Sequence, residues 1–160
     1  MGLEIWVTTG VGRARTPLAA FDRALFQAGI GNYNLIALSS VIPLGATVVR
    51  KEWHGRDEEW GDRLYVVLAE HRSDTVGEEA WAGLGWVQSD EDGRGLFVEH
   101  HGVTRQHVED EIEASLSSMC AYRRESLGPP QMELAGTVCT GDPVCALVAA
   151  VFETTPWIAV

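Results

Sequence analysis

Gly31-Asn32-Tyr33-Asn34-Leu35-Ile36-Ala37-Leu38-Ser39-Ser40-Val41-Ile42-Pro43-Leu44-Gly45 is the stretch around which the chain is organised. The apolar residues from Leu35 to Leu38 predict a buried strand over Tyr33 to Leu38. The run stops in two serines, resumes with Val41 and Ile42, and is turned by Pro43 and Gly45. A short strand closed by proline and glycine presents its last residues in a fixed geometry. Two hydroxyls at that point, instead of two apolar side chains, single out Ser39 and Ser40.

Upstream, Leu3 to Thr9 reads as a strand and Gly10 to Arg15 as a loop. Thr16-Pro17 opens a helix, threonine as N-cap and proline at the first helical position. Leu18, Phe21, Leu25 and Ala28 recur at helical steps, so Pro17 to Ala28 is an amphipathic helix stopped by Gly29 and Gly31, with Asp22 bordering its apolar stripe. Downstream, Ala46 to Arg50, Arg63 to Glu70, Ala80 to Gln88 and Gly95 to His101 read as strands, with Lys51 to Asp62 an exposed loop. The turn Asp90-Glu91-Asp92-Gly93 makes Trp86 and Phe97 parts of one hairpin. A second helix starts at Thr104 and runs to about Arg124. Its acidic residues lie early and its arginines late, as the helix dipole favours. Gln131 to Cys139 and Pro143 to Phe152 read as a C-terminal hairpin. About seven strands and two helices that do not alternate predict an α+β fold, a largely antiparallel sheet system with helices outside.

The 160 residues fit one domain, 1–160, and an apolar fraction of 46% suffices for a core. A net charge of −11 opposes nucleic acid and anionic membrane and favours a cationic small molecule. Three cysteines without close pairing suit a reducing, cytoplasmic setting. Met1 to Trp6 lacks the features of a signal peptide, and no apolar run reaches the ~18 residues of a membrane span. Gly10-Val11-Gly12 lacks the remaining features of a dinucleotide loop. His100 and His101, adjacent on a strand, point to opposite faces and with Glu99 make a poor metal site, so no metal is expected.

Asn34-Leu35-Ile36-Ala37-Leu38-Ser39-Ser40-Val41-Ile42-Pro43 resembles the self-cleavage segment of pyruvoyl-dependent arginine decarboxylases. The likeness is sharp over residues 20–45 and extends to Phe97-Val98-Glu99-His100-His101-Gly102. Leu44 stands where family members often carry a second proline. The resemblance implies a layered αββα sandwich, assembled as a trimer with active sites at subunit contacts. It implies cleavage between Ser39 and Ser40 into chains 1–39 and 40–160. The Ser40 hydroxyl attacks the Ser39 carbonyl, the resulting ester is eliminated to dehydroalanine, and hydrolysis leaves a covalent pyruvoyl group with release of ammonia. L-Arginine would then form an imine with that Ser40-derived cofactor and lose CO₂ to give agmatine.

Family matches extend to three further residues. Asn34, six residues before Ser40, would polarise the cleaved carbonyl; on an ideal strand the even spacing puts both on one face. Asp22 would hold the substrate guanidinium by two parallel hydrogen bonds. Glu99 would return a proton to the carbon that loses CO₂. Taken alone, a Ser-Ser pair says little, and Ser117-Ser118 in the second helix has no role beyond packing and solvation. Two alternatives stay open: an uncleaved homologue serving as a binding or structural assembly, and a decarboxylase of another amino acid.

Overall fold

The structure is a computed structural model that describes residues 2–158. Met1, Ala159 and Val160, inside the predicted unit 1–160, lie outside the described residues. In chain order the elements are β1 (Glu4–Arg13), α1 (Pro17–Gln27), β2 (Asn34–Ala37), β3 (Val41–Ile42), β4 (Thr47–Arg50), β5 (Arg63–Ser73), β6 (Glu79–Gln88), β7 (Gly95–Gly102), α2 (Arg105–Arg123), β8 (Gln131–Val138) and β9 (Val144–Thr155). A short 3₁₀ turn at Asp57–Glu59 interrupts the loop before β5.

Four layers follow from which faces are apolar. A five-stranded sheet, order β2-β5-β9-β1-β4, packs against a four-stranded sheet, order β3-β7-β6-β8. One helix covers each outer face: α1 lies on the first sheet and α2 on the second. This is the αββα sandwich expected. The second sheet is antiparallel throughout, while the first has parallel pairs at β1/β4 and β2/β5. Strand β9 sits at the centre of its sheet and is buried on both faces. Val144, Ala146, Val148 and Ala150 face the other sheet, and Cys145, Leu147, Ala149 and Val151 face α1. A continuous apolar run is what a doubly covered strand requires.

Several sequence expectations are corrected here. β8 and β9 do not form a hairpin: β8 pairs with β6, β9 pairs with β1 and β5, and the connection between them crosses from one sheet to the other. Gly10 and Gly12 are not loop residues but lie inside β1, where α1 rests directly on them. A Cβ at Gly12 would collide with the Ala20 carbonyl, so these glycines permit close helix–strand approach. The stripe of α1 that reaches the core is Ala20, Ala24 and Leu25, continued by Ala28 just past its end; Leu18 is 68% exposed. Strand β2 is a half-buried edge strand, not a buried one. The Lys51 to Asp62 loop is anchored: Glu59 is buried, and Trp53 packs under α1. The β6–β7 hairpin forms as expected, with Trp86 opposite Phe97.

Candidate active site

The two sheets are joined at one side by the link from β2 to β3. Strand β2 ends beside Val66, and the Leu38 amide donates to the Val66 carbonyl at 2.9 Å in the first sheet. Two residues later the Ser40 carbonyl accepts from the Phe97 amide at 2.8 Å in the second sheet. The Ser39–Ser40 peptide bond is therefore held in the span between two sheets, pinned on each side. Ser40 has φ of 30°, in the left-handed region that a residue with a Cβ adopts at a cost of about 1–2 kcal/mol. The turn beyond it closes with Leu44 in place: Gly45 has φ of 77°, and the Ala46 amide donates to the Pro43 carbonyl at 3.2 Å.

The Ser40 hydroxyl donates to Glu99 Oε2 at 2.7 Å. Glu99 lies on β7 opposite Leu84, on the face turned toward the other sheet, but its side chain is exposed. The exposure has a topological cause. Strand β2 pairs with β5 only as far as Val66, although β5 continues to Ser73. Strand β3 covers only Gly95 and Leu96 of β7, which continues to Gly102. Beyond these short strands the edges of β5 and β7 flank an open slot, with Ser40 at one end and Glu99 within it. Farther along, His101 of β7 meets His71 of β5, their Nδ1 atoms 2.9 Å apart. His100 points the other way, to Ser115 of α2 at 2.7 Å, as strand alternation requires.

One chain does not bring the remaining candidates to Ser40. Asn34 begins β2, and the four steps from it to Leu38 span about 13 Å of strand. Its amide donates to the Gly61 carbonyl at 2.6 Å, which also accepts from the Trp157 indole at 2.8 Å. The same-face expectation fails because the strand stops at Ala37 and Ser40 is left-handed, which breaks the alternation. Asp22 is exposed on α1, across the five-stranded sheet from the slot. On that surface it lies between Leu18 and Phe26, 68% and 69% exposed, one helical turn to either side.

A cavity of about 310 Å³ opens at the Asn34 end of β2, lined by Phe26, Tyr33, Trp53, Glu59 and Trp60 among others, and not by Ser40 or Glu99. Within it Tyr33 donates a short hydrogen bond to Glu59, Arg56 Nε donates to Glu59 at 2.7 Å, and the Trp53 indole donates to the Tyr33 oxygen at 3.2 Å. Burial alone would push the Glu59 carboxyl up, but the hydrogen bonds from Tyr33 and Arg56 outweigh it and hold it below the usual range. Burial, reinforced by the bond to Glu59, pushes Tyr33 up to about 12. The cluster ties the loop before β5 to the start of β2, and so supports the Gly61 carbonyl that holds Asn34. Burial first, then the charge of Glu70, pushes the Cys145 thiol up to about 12, which leaves it unreactive on the α1 side of β9.

The sequence matches the family described as pyruvoyl-dependent arginine decarboxylase (PvlArgDC) over residues 4–155. The chain belongs to that family. A pyruvoyl-dependent arginine decarboxylase of Halobacterium salinarum is 34% identical over 152 residues, 93% of each chain. Pyruvoyl-dependent arginine decarboxylase 2 of Archaeoglobus fulgidus is 37% identical over 100 residues, 62% of this chain. The chain spans 64% of the length of that relative and 54% of two others it matches. A solved pyruvoyl-dependent histidine decarboxylase is a looser likeness: TM-score 0.40, 12% identity, 66% of this chain and 57% of that one. Membership implies a covalently bound pyruvoyl group. The residues here fit one. A serine stands at the pinned, strained link with its hydroxyl on an exposed carboxylate. Sequence reasoning missed His71, which no motif marks; it becomes visible only when β5 and β7 face each other. It also missed the Gly61 carbonyl, because a backbone acceptor has no sequence signature.

Proposed function

We propose that the chain is a self-processing precursor that cleaves between Ser39 and Ser40 and then decarboxylates L-arginine to agmatine and CO₂. The observation that carries this reading is the Ser40 hydroxyl, 2.7 Å from Glu99 Oε2 at a link held between two sheets. In cleavage, Ser40 Oγ attacks the Ser39 carbonyl carbon while Glu99 takes the hydroxyl proton. The left-handed conformation of Ser40 stores strain that cleavage releases. The pyruvoyl group made from Ser40 supplies an electron-withdrawing ketone to the departing carboxylate's carbon. Glu99 then faces that carbon across the slot and gives it a proton. Asp22 holds the guanidinium, and Asn34 orients the carbonyl at the cleavage link.

The separation of Asp22 and Asn34 from Ser40 within one chain supports a homo-oligomer in which a second copy completes the site. The exposed Leu18–Asp22–Phe26 surface of one copy and the Ser40 end of the slot of another are what such a contact would bring together. The trimer is the assembly the family resemblance implies. Cytoplasmic residence agrees with free thiols at Cys120, Cys139 and Cys145. Among the described residues no helix is long and apolar enough to cross a membrane.

Intact mass of freshly purified protein tests the reading. Two chains split after Ser39 are expected, the larger lacking a free amine and reacting with carbonyl reagents, and arginine should yield agmatine. A single uncleaved species, with no carbonyl-reactive end, would overturn it. Asp22→Asn is expected to leave cleavage intact and raise KM for arginine about 10- to 100-fold, the worth of a charge-assisted bidentate contact. Unchanged arginine kinetics would remove Asp22 from the site.

A further inference from the structure

The slot holds a pair of groups that the reaction described above does not use. His71 and His101 bridge the two sheets, with Nδ1 atoms 2.9 Å apart and rings stacked at 5.1 Å between centroids. A nitrogen–nitrogen hydrogen bond needs one ring as donor and the other as acceptor. The pair can therefore be neutral or carry one added proton, but two added protons break it. Burial, and then the charge on His101, holds His71 below the ordinary histidine range, which opposes the second proton. His101 is exposed and His71 half-buried, so one member meets solvent directly. Glu99 and His101 are two residues apart on one face of β7, about 7 Å between Cα atoms.

We propose that the His71–His101 pair is the proton store of this site, recharging Glu99 after each decarboxylation. The inference rests on the reading of Glu99 as proton donor given above. Each turnover releases CO₂ and places one proton on the carbon it leaves. Glu99 supplies that proton and becomes a carboxylate. The singly protonated pair returns one proton to Glu99 and takes one from solvent. The sum is one proton consumed per arginine, as the loss of a carboxylate as CO₂ requires. The other charged groups near the pair are Glu70 on β5, paired with Arg72, and Glu78 on the link to β6, bonded to Ser73. The strand neighbours opposite the two histidines are Ala146 and Ala82, which carry no charge. Glu70 and Glu78 both favour a proton on the pair; Glu99 is the only carboxylate sharing its strand face. The histidines are positioning residues that act through Glu99.

The test is His101→Asn and His71→Asn in the self-cleaved enzyme, followed from about pH 6 to about pH 8, where an ordinary imidazole titrates. Expected are normal cleavage, an unchanged KM for arginine and a kcat roughly tenfold lower, less than the ~10²–10⁴ lost with a direct acid. The fall should be greatest toward about pH 6, where the pair of the parent carries its added proton, and shrink toward about pH 8, where that pair is itself neutral, because burial holds His71 below the ordinary range. Added imidazole should restore kcat in His101→Asn. An active parent whose kcat and pH profile both variants reproduce, without imidazole rescue, overturns the proposal alone. Loss of self-cleavage in both variants overturns it too, since the pair then serves the precursor and not turnover. A parent that cleaves but makes no agmatine overturns the underlying reading and this proposal with it.

Discussion

Replacing Ser40 with alanine is expected to leave one uncleaved chain with decarboxylase activity at background. The variant removes the oxygen proposed to attack and the proposed precursor of the ketone together, so no partial activity should survive. The surroundings are expected to persist, because the link is held by backbone bonds, Leu38 to Val66 and Phe97 to Ser40, that do not involve the hydroxyl. Retained folding with total loss of cleavage would separate chemistry from stability. Ser118→Ala is the control: Ser118 lies exposed on α2, and its loss should change neither cleavage nor rate. Electrophoresis and intact mass decide the matter within one preparation. Two fragments from the Ser40→Ala protein would mean that a different bond breaks.

Glu99→Gln is expected to lower kcat by about 10²–10⁴, the usual contribution of a positioned acid or base. The amide is nearly isosteric and can still accept from the Ser40 hydroxyl, so the geometry at 2.7 Å should survive. It can neither take the hydroxyl proton nor give one to carbon. Self-cleavage should therefore slow from completion during purification to a process that can be followed over time. KM for arginine should change little, since the guanidinium contact is proposed for Asp22, not Glu99. A variant that cleaves and turns over like the parent would leave the Ser40–Glu99 contact as a structural bond only. Measuring both rates in one variant matters, because Glu99 is assigned a proton in each step and a defect in only one would split the assignment.

The local elements were largely legible. Threonine before proline capped α1 where expected, and the Thr16 side chain accepts from the Ala19 amide at 3.1 Å. Thr104 does the same for α2, accepting from His107 at 3.2 Å. These signals are short-range, so the chain states them directly. Partners across sheets were not legible. The run Val144 to Phe152 is apolar on both faces, which says that it is covered twice but not by what. A nearby strand and a turn sequence made β8 the natural partner, whereas β1 and β5 take that place. The glycines of β1 read as a loop because their use, admitting α1, depends on an element that lies outside the strand.

At the candidate site the division is similar. Ser39 and Ser40 stood out by sequence because hydroxyls interrupt an apolar run, and Glu99 because its motif resembles the family's. The sequence by itself determined the strand–serine–turn segment, the two capped helices and the residue types available for decarboxylation, since each depends on neighbours within a few positions. Only the tertiary structure decided that Ser40 bonds to Glu99, that Asn34 and Asp22 lie away from both, and that His71 meets His101. Those relations depend on where β2 and β3 stop short of the strands they pair with. Backbone pairing between segments far apart in the chain sets that limit, and no local pattern of side chains encodes it.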